Sequence, residues 1–107
     1  MAKVIRGAQD VAIKALKKAL ETYENRFPGA SASLYRQNPG AIRIRIVDDR
    51  FAGWSRARRH DEVWELLSEL VGEDAMSEVS TLLLFPKSEL RSSLANMDFE
   101  RPLPARR

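Results

Sequence analysis

Seven arginines, at positions 36, 43, 45, 50, 56, 58 and 59, fall within a stretch that holds only two carboxylates, Asp48 and Asp49. A guanidinium stays charged at any working pH, and its planar fork matches a phosphate or a carboxylate. Such a block could hold an anionic partner. Arg43 and Arg45 alternate with Ile42, Ile44 and Ile46, while Arg50, Arg56, Arg58 and Arg59 surround Trp54. An exposed Trp flanked by arginines suits base stacking combined with phosphate neutralisation. Arg43, Arg45, Arg50, Trp54, Arg56, Arg58 and Arg59 are therefore the candidate nucleic-acid-binding residues. A blander reading stands beside this one. Trp54 can cap the core, Arg43 and Arg45 can pair across a sheet, and the helical arginines can pair with Glu62, Glu65 and Glu69 a turn away.

Other chemistry has less to work with. There is no cysteine, which excludes disulfides, thiol catalysis and thiolate metal ligation. His60 is the single histidine, and one imidazole is too few for a typical protein metal site. It is read either as a helix-start residue satisfied by its neighbours or as a contact for a partner. Asp48-Asp49 could serve as acid and base, but consecutive carboxylates at a strand end commonly form turns, and no second convergent group stands out. The expectation is a non-enzymatic chain with no catalytic residues, no metal, no cofactor and no small-molecule substrate.

The elements that must position these residues follow from hydrophobic period. Ile42, Ile44 and Ile46 recur every second residue, the mark of a strand with one buried face and one wet face. Residues 51–54 turn a corner at Gly53. From Ser55, a plausible N-cap, Val63, Trp64, Leu66, Leu67, Leu70 and Val71 fall at helical spacing up to Gly72, with Trp64 placed in the core. Before the strand, Ala8, Val11, Ala12, Ala15, Leu16, Ala19, Leu20 and Tyr23 predict an amphipathic helix that Pro28-Gly29 ends. Residues 30–37 predict a strand of moderate strength, a possible edge, paired as a hairpin with residues 41–48 through Asn38-Pro39-Gly40. Residues 79–85, VSTLLLF, are almost wholly apolar, as in a strand buried on both faces or central in a small sheet. Residues 87–97 predict a short last helix. The order is α, β, β, α, β, α. Three strands can hide two amphipathic helices only by carrying them on one face, so the expected fold is α+β, a two-layer sandwich with a three-stranded mixed sheet.

Totals fit one domain. The chain has 107 residues, 44% hydrophobic and 31% charged, with net charge +3. That length buries roughly 65% of the unfolded surface, so no staple is required. A single domain over residues 1–107 is expected, with an ordered core at about 4–98 and a flexible tail at 99–107. No signal-peptide core or membrane-length apolar run stands in the sequence, which predicts a cytoplasmic protein with no membrane partner. Seven acids and no base lie between Asp61 and Glu78, so an acidic block follows the basic one.

The segment Ile46-Val47-Asp48-Asp49-Arg50-Phe51-Ala52-Gly53, followed by Arg59-His60 and Val63, resembles the BolA family. That family's hallmark is a strand, a polar turn, Phe-x-Gly and an Arg-His pair opening a helix, here Phe51, Gly53, Arg59 and His60. The resemblance covers roughly residues 8–95, and only the middle of it is specific. It implies a fold similar to a type II KH domain and links to DNA binding, transcriptional control and iron–sulfur handling with monothiol glutaredoxins. The departures matter. Family members that share a cluster offer Cys or His in the first hairpin loop and His at the third strand. Here those places read Gln37-Asn38-Pro39-Gly40 and Glu78-Val79-Ser80-Thr81. No GXXG loop of the RNA-gripping KH kind is present either. The expectation is a BolA/KH-like module binding nucleic acid or another anionic partner. The alternative is a protein-interaction adaptor that docks by the acidic flank of its second helix or by the edge of its first strand. A glutaredoxin partner that contributes no ligand is a third reading.

Overall fold

The computed structural model describes residues 1–7 and 9–92. Its elements are β1 (Lys3–Arg6), α1 (Val11–Arg26), β2 (Ser31–Asn38), β3 (Ala41–Val47), α2 (Arg56–Val71), α3 (Glu73–Met76) and β4 (Val79–Phe85). Short 3-10 turns occupy Asp49–Phe51 and Lys87–Ser92. Among the described residues the fold is a small α+β one with a four-stranded mixed sheet, ordered β1-β2-β3-β4. β1 runs parallel to β2, β2 antiparallel to β3, and β3 parallel to β4.

Two expectations are corrected here. The sheet has four strands, because Lys3–Arg6 pairs with β2, Lys3 opposite Ser33 and Val4 opposite Leu34. The weak strand is therefore interior, while the apolar strand β4 lies at an edge. Only Leu84 and Phe85 of β4 are fully buried, and the rest of it is half-buried or exposed. Part of the expected last helix is present as the Lys87–Ser92 turn. The remainder, and the expected tail at 99–107, lie outside the described residues.

Each element has a local cause. Asp10 caps α1, its Oδ1 accepting from the Ile13 N–H at 3.1 Å, and Ile13, Leu16, Ala19, Leu20 and Tyr23 form its buried face. Ser55 caps α2, with Oγ accepting from the Arg58 N–H at 3.1 Å. Gly72 closes that helix at φ +82°. The alternation in β3 is realised: Ile42, Ile44 and Ile46 are wholly buried, each contributing roughly 1.5–3 kcal/mol. They join Leu34, Leu84, Phe51, Val63, Leu67 and the α1 stripe in one core. The helices α1 and α2 touch each other and share that core, so both lie on the same side of the sheet. No helix of the described residues is long and apolar enough to cross a membrane.

Candidate nucleic-acid interface

The period of two that buries the three isoleucines turns Arg43 and Arg45 to the opposite, outer face. Cross-strand register then decides their neighbours. Arg43 stands opposite Tyr35, and Arg45 opposite Ser33. Arg43 Nη1 donates to the Tyr35 hydroxyl at 2.9 Å, and Arg45 Nη2 reaches Ser33 Oγ at 3.5 Å. From β1, the Arg6 guanidinium lies 3.8 Å from the centre of the Tyr35 ring, and Lys3 stands beside Ser33. Tyr35 itself is buried beneath these cations. A band of Lys3, Arg6, Arg43 and Arg45, two of them against Tyr35 and two opposite Ser33, thus crosses three strands.

Sequence reasoning missed Lys3 and Arg6, whose strand it did not see, and Tyr35, which lies in the expected strand 30–37 but owes its place to the Arg6 and Arg43 side chains packed on it. The available signal was slight. Ala2 and Val4 turn toward the core while Lys3 lies between them and exposed, a period of two over three residues.

The corner arginines have other occupations. Arg50 is folded back onto the end of α1, 3.5 Å above the Phe27 ring. Its Nε donates to Asp48 Oδ2 at 3.0 Å and its Nη2 to the Tyr23 hydroxyl at 3.1 Å. The Tyr23 hydroxyl in turn donates to Asp48 at 2.7 Å. Burial, reinforced by the Asp48 carboxylate, pushes the Tyr23 pKa up, which keeps that proton in place. Asp48 also caps the Asp49–Phe51 turn by accepting from the Arg50 N–H, and Asp49 accepts from the Lys87 N–H at 2.9 Å. The consecutive carboxylates are turn formers here.

Arg59 is the clearest departure from a surface role. Only 6% of it is exposed. It makes paired 2.9 Å bonds to Glu89, a 3.1 Å bond to the Leu84 carbonyl and a 3.2 Å bond to the Trp54 carbonyl. The guanidinium holds the Glu89 carboxyl below its ordinary value, and the carboxylate raises the Arg59 pKa. Arg59 therefore fastens the start of α2 to β4 and to the Lys87–Ser92 turn. Arg58 pairs with Glu62 at 3.0 Å and lies 3.8 Å from the centre of the half-buried Trp54 ring. Arg56 is exposed.

The remaining motif residues play local roles. Phe51 is wholly buried and plugs the core beside Trp54, ring centres 5.8 Å apart. Gly53 has φ +83° and supplies the bend. The His60 ring stacks on Trp64, centres 5.4 Å apart at 15°. Trp64 packs against the core yet keeps one side in solvent, so it is not the wholly interior residue expected. Arg36, the first of the basic block, bridges Asp10 and Glu78.

The seven candidates thus separate into two outer-face arginines, Arg43 and Arg45, and a corner group that is largely paired within the fold. Among the described residues no three of His, Asp and Glu converge as a metal site would need. Comparison with known proteins adds no identity: no family model matches the chain, and no curated protein or solved structure matches it.

Proposed function

We propose that the chain is a non-enzymatic, BolA/KH-like module whose outer sheet face holds nucleic acid by its phosphates. One observation carries the reading. The four strands of the described residues contain five cations and no carboxylate, and four of those cations share one face, Arg6 and Arg43 against Tyr35, Lys3 and Arg45 opposite Ser33. Arg36 alone leaves this face for Asp10 and Glu78. Guanidiniums held by a tyrosine ring and hydroxyl lose little freedom on meeting a phosphate. A broad sheet face bearing cations suits a single strand laid across it. The run from α1 through the hairpin and α2 to β4, with Phe51, Gly53, Arg59 and His60 at the corner, supports the likeness to BolA and KH domains.

The test is an NMR titration with short single- and double-stranded oligonucleotides at low and moderate salt. Expected are shifts on Arg6, Tyr35, Arg43 and Arg45, strongest for single strands. Affinity should fall with salt at a log–log slope of about −2 to −3, the value for three or four neutralised phosphates. Arg43→Glu with Arg45→Glu should abolish binding. No shifts at low salt would end the proposal.

A further inference from the structure

The outer face of the sheet carries more than its cations. Val47 and Phe85 stand opposite each other on β3 and β4, and Leu83 stands opposite Arg45. By strand alternation all three share the face of Arg43 and Arg45. Val47 is 7% and Phe85 9% exposed, yet neither belongs to the core. The described helices do not account for that burial, since α1, α2 and α3 all pack into the core on the other side. This face is apolar at the end where the chain leaves β4, and basic from there toward β1.

The sequence continues from that apolar end. After β4, Glu89 fastens the Lys87–Ser92 turn to Arg59, and residues 93–107 follow. Residues 93–100, SLANMDFE, hold two acids and no base. Leu94 and Met97 come first, and then Asp98 and Glu100 flank Phe99. The face read outward from Phe85 has the same order, apolar and then cationic. The three bases beyond, Arg101, Arg106 and Arg107, all come later. Crossing from β4 to β1 takes three strand spacings, roughly 14 Å, and eight extended residues reach up to roughly 26 Å. Arg6, Tyr35, Arg43 and Arg45 are engaged beyond the contacts given above, as are Glu89 and Leu90 of the closing turn.

We propose that residues 93–100 dock on the outer face of their own chain, so that a nucleic acid must displace them to bind. Their apolar side chains cover Val47, Leu83 and Phe85, and Asp98 and Glu100 meet the arginines of β3. The strands themselves offer those arginines no carboxylate. Tethering holds the segment at a roughly millimolar local concentration, so contacts of little individual worth suffice. A single strand of nucleic acid brings more negative charge than two carboxylates and can take the face from them. The docking stands without the nucleic-acid reading, whereas the competition rests on it.

The chain has no cysteine, so Ala105→Cys gives the full-length protein a single attachment point for a nitroxide label. Expected is paramagnetic broadening of the Arg43, Arg45 and Leu83 amides. It should be lost when Asp98→Asn is combined with Glu100→Gln, and equally when Met97→Ser is combined with Phe99→Ser. The second pair leaves the charge unchanged, and without the label it should bind a single-stranded oligonucleotide at least about fivefold more tightly than the parent. Broadening that is absent, confined to α1 and α2, or retained in both pairs overturns the docking. So does broadening passed from a labelled chain to an unlabelled one in a mixed sample, which would place the segment on a second copy. Docking with equal oligonucleotide affinity in parent and variant overturns the competition. Docking with no oligonucleotide bound by either protein establishes the contact and defeats the nucleic-acid reading alone.

Discussion

Arg43 and Arg59 are the same residue type sixteen positions apart, and their surroundings give them opposite work. Arg43 is half-exposed on a face without acids in its strands. Arg59 is enclosed, with two carbonyls and a bidentate carboxylate around it. Removing one partner of an enclosed pair leaves the others desolvated without compensation. Arg59→Met is therefore expected to destabilise the fold by about 2–3 kcal/mol, below the full cost for a buried pair because Glu89 keeps water contact. Arg59→Lys should not restore the loss, since an ammonium cannot reach the Trp54 and Leu84 carbonyls and both Glu89 oxygens in one geometry. Urea unfolding of the two variants decides it. Equal stability of Arg59→Lys and the parent would show that charge alone, not the fork, fastens α2 to β4.

At the scale of elements, what was legible depended on how long a pattern had to speak. β3 and α2 each sustain one period, two and 3.6 residues, over several repeats, and Phe51, Gly53 and Ser55 mark the junction in residue types with few other uses. β1 is four residues long, too short for alternation to register, and its evidence is the open side of β2 that it covers. β4 misled for the opposite reason. Its apolar run reads as buried on both faces, whereas Val79, Leu82 and Leu83 are half-buried at an edge. The basic block misled because linear density of arginine says nothing of which carboxylates fold back upon it. Asp10, Glu78 and Glu89 all come from distant segments. Two variants test the elements. Gly53→Val must hold a β-branched residue at φ +83° and should lose about 1–3 kcal/mol, whereas Gly53→Asn should lose less. A melting temperature unchanged by valine would count against that corner. Deleting residues 1–6 should lower the melting temperature and speed amide exchange along β2, because β2 loses its parallel neighbour. Unchanged exchange at residues 33–35 would remove β1 from the sheet.

For the whole molecule, ion pairs tie segments that the chain keeps far apart. Arg36 joins the start of α1, through Asp10, to the entry of β4, through Glu78. Arg59 and Glu89 join α2 to the last described turn. The Met1 ammonium meets Glu24 at 3.2 Å, beside the first strand. These ties fix how the fold responds to acid. The Arg36 hydrogen bond, with help from the Ile13 N–H, holds the Asp10 carboxyl at about 2, and Arg59 lowers that of Glu89. Unfolded, both groups return to roughly 4. Between those values the unfolded chain binds more protons than the folded one, so stability falls as pH falls. The contribution is complete above about pH 5 and is lost progressively toward pH 2. Asp10→Asn keeps a side-chain oxygen to cap α1 but removes the titrating charge. Its urea midpoint should be lower than the parent's at pH 6, with the gap closing as the pH approaches 2. The absence of any gap across that range would mean that Asp10 acts only as a helix cap, and that Arg36 draws its stabilisation from Glu78.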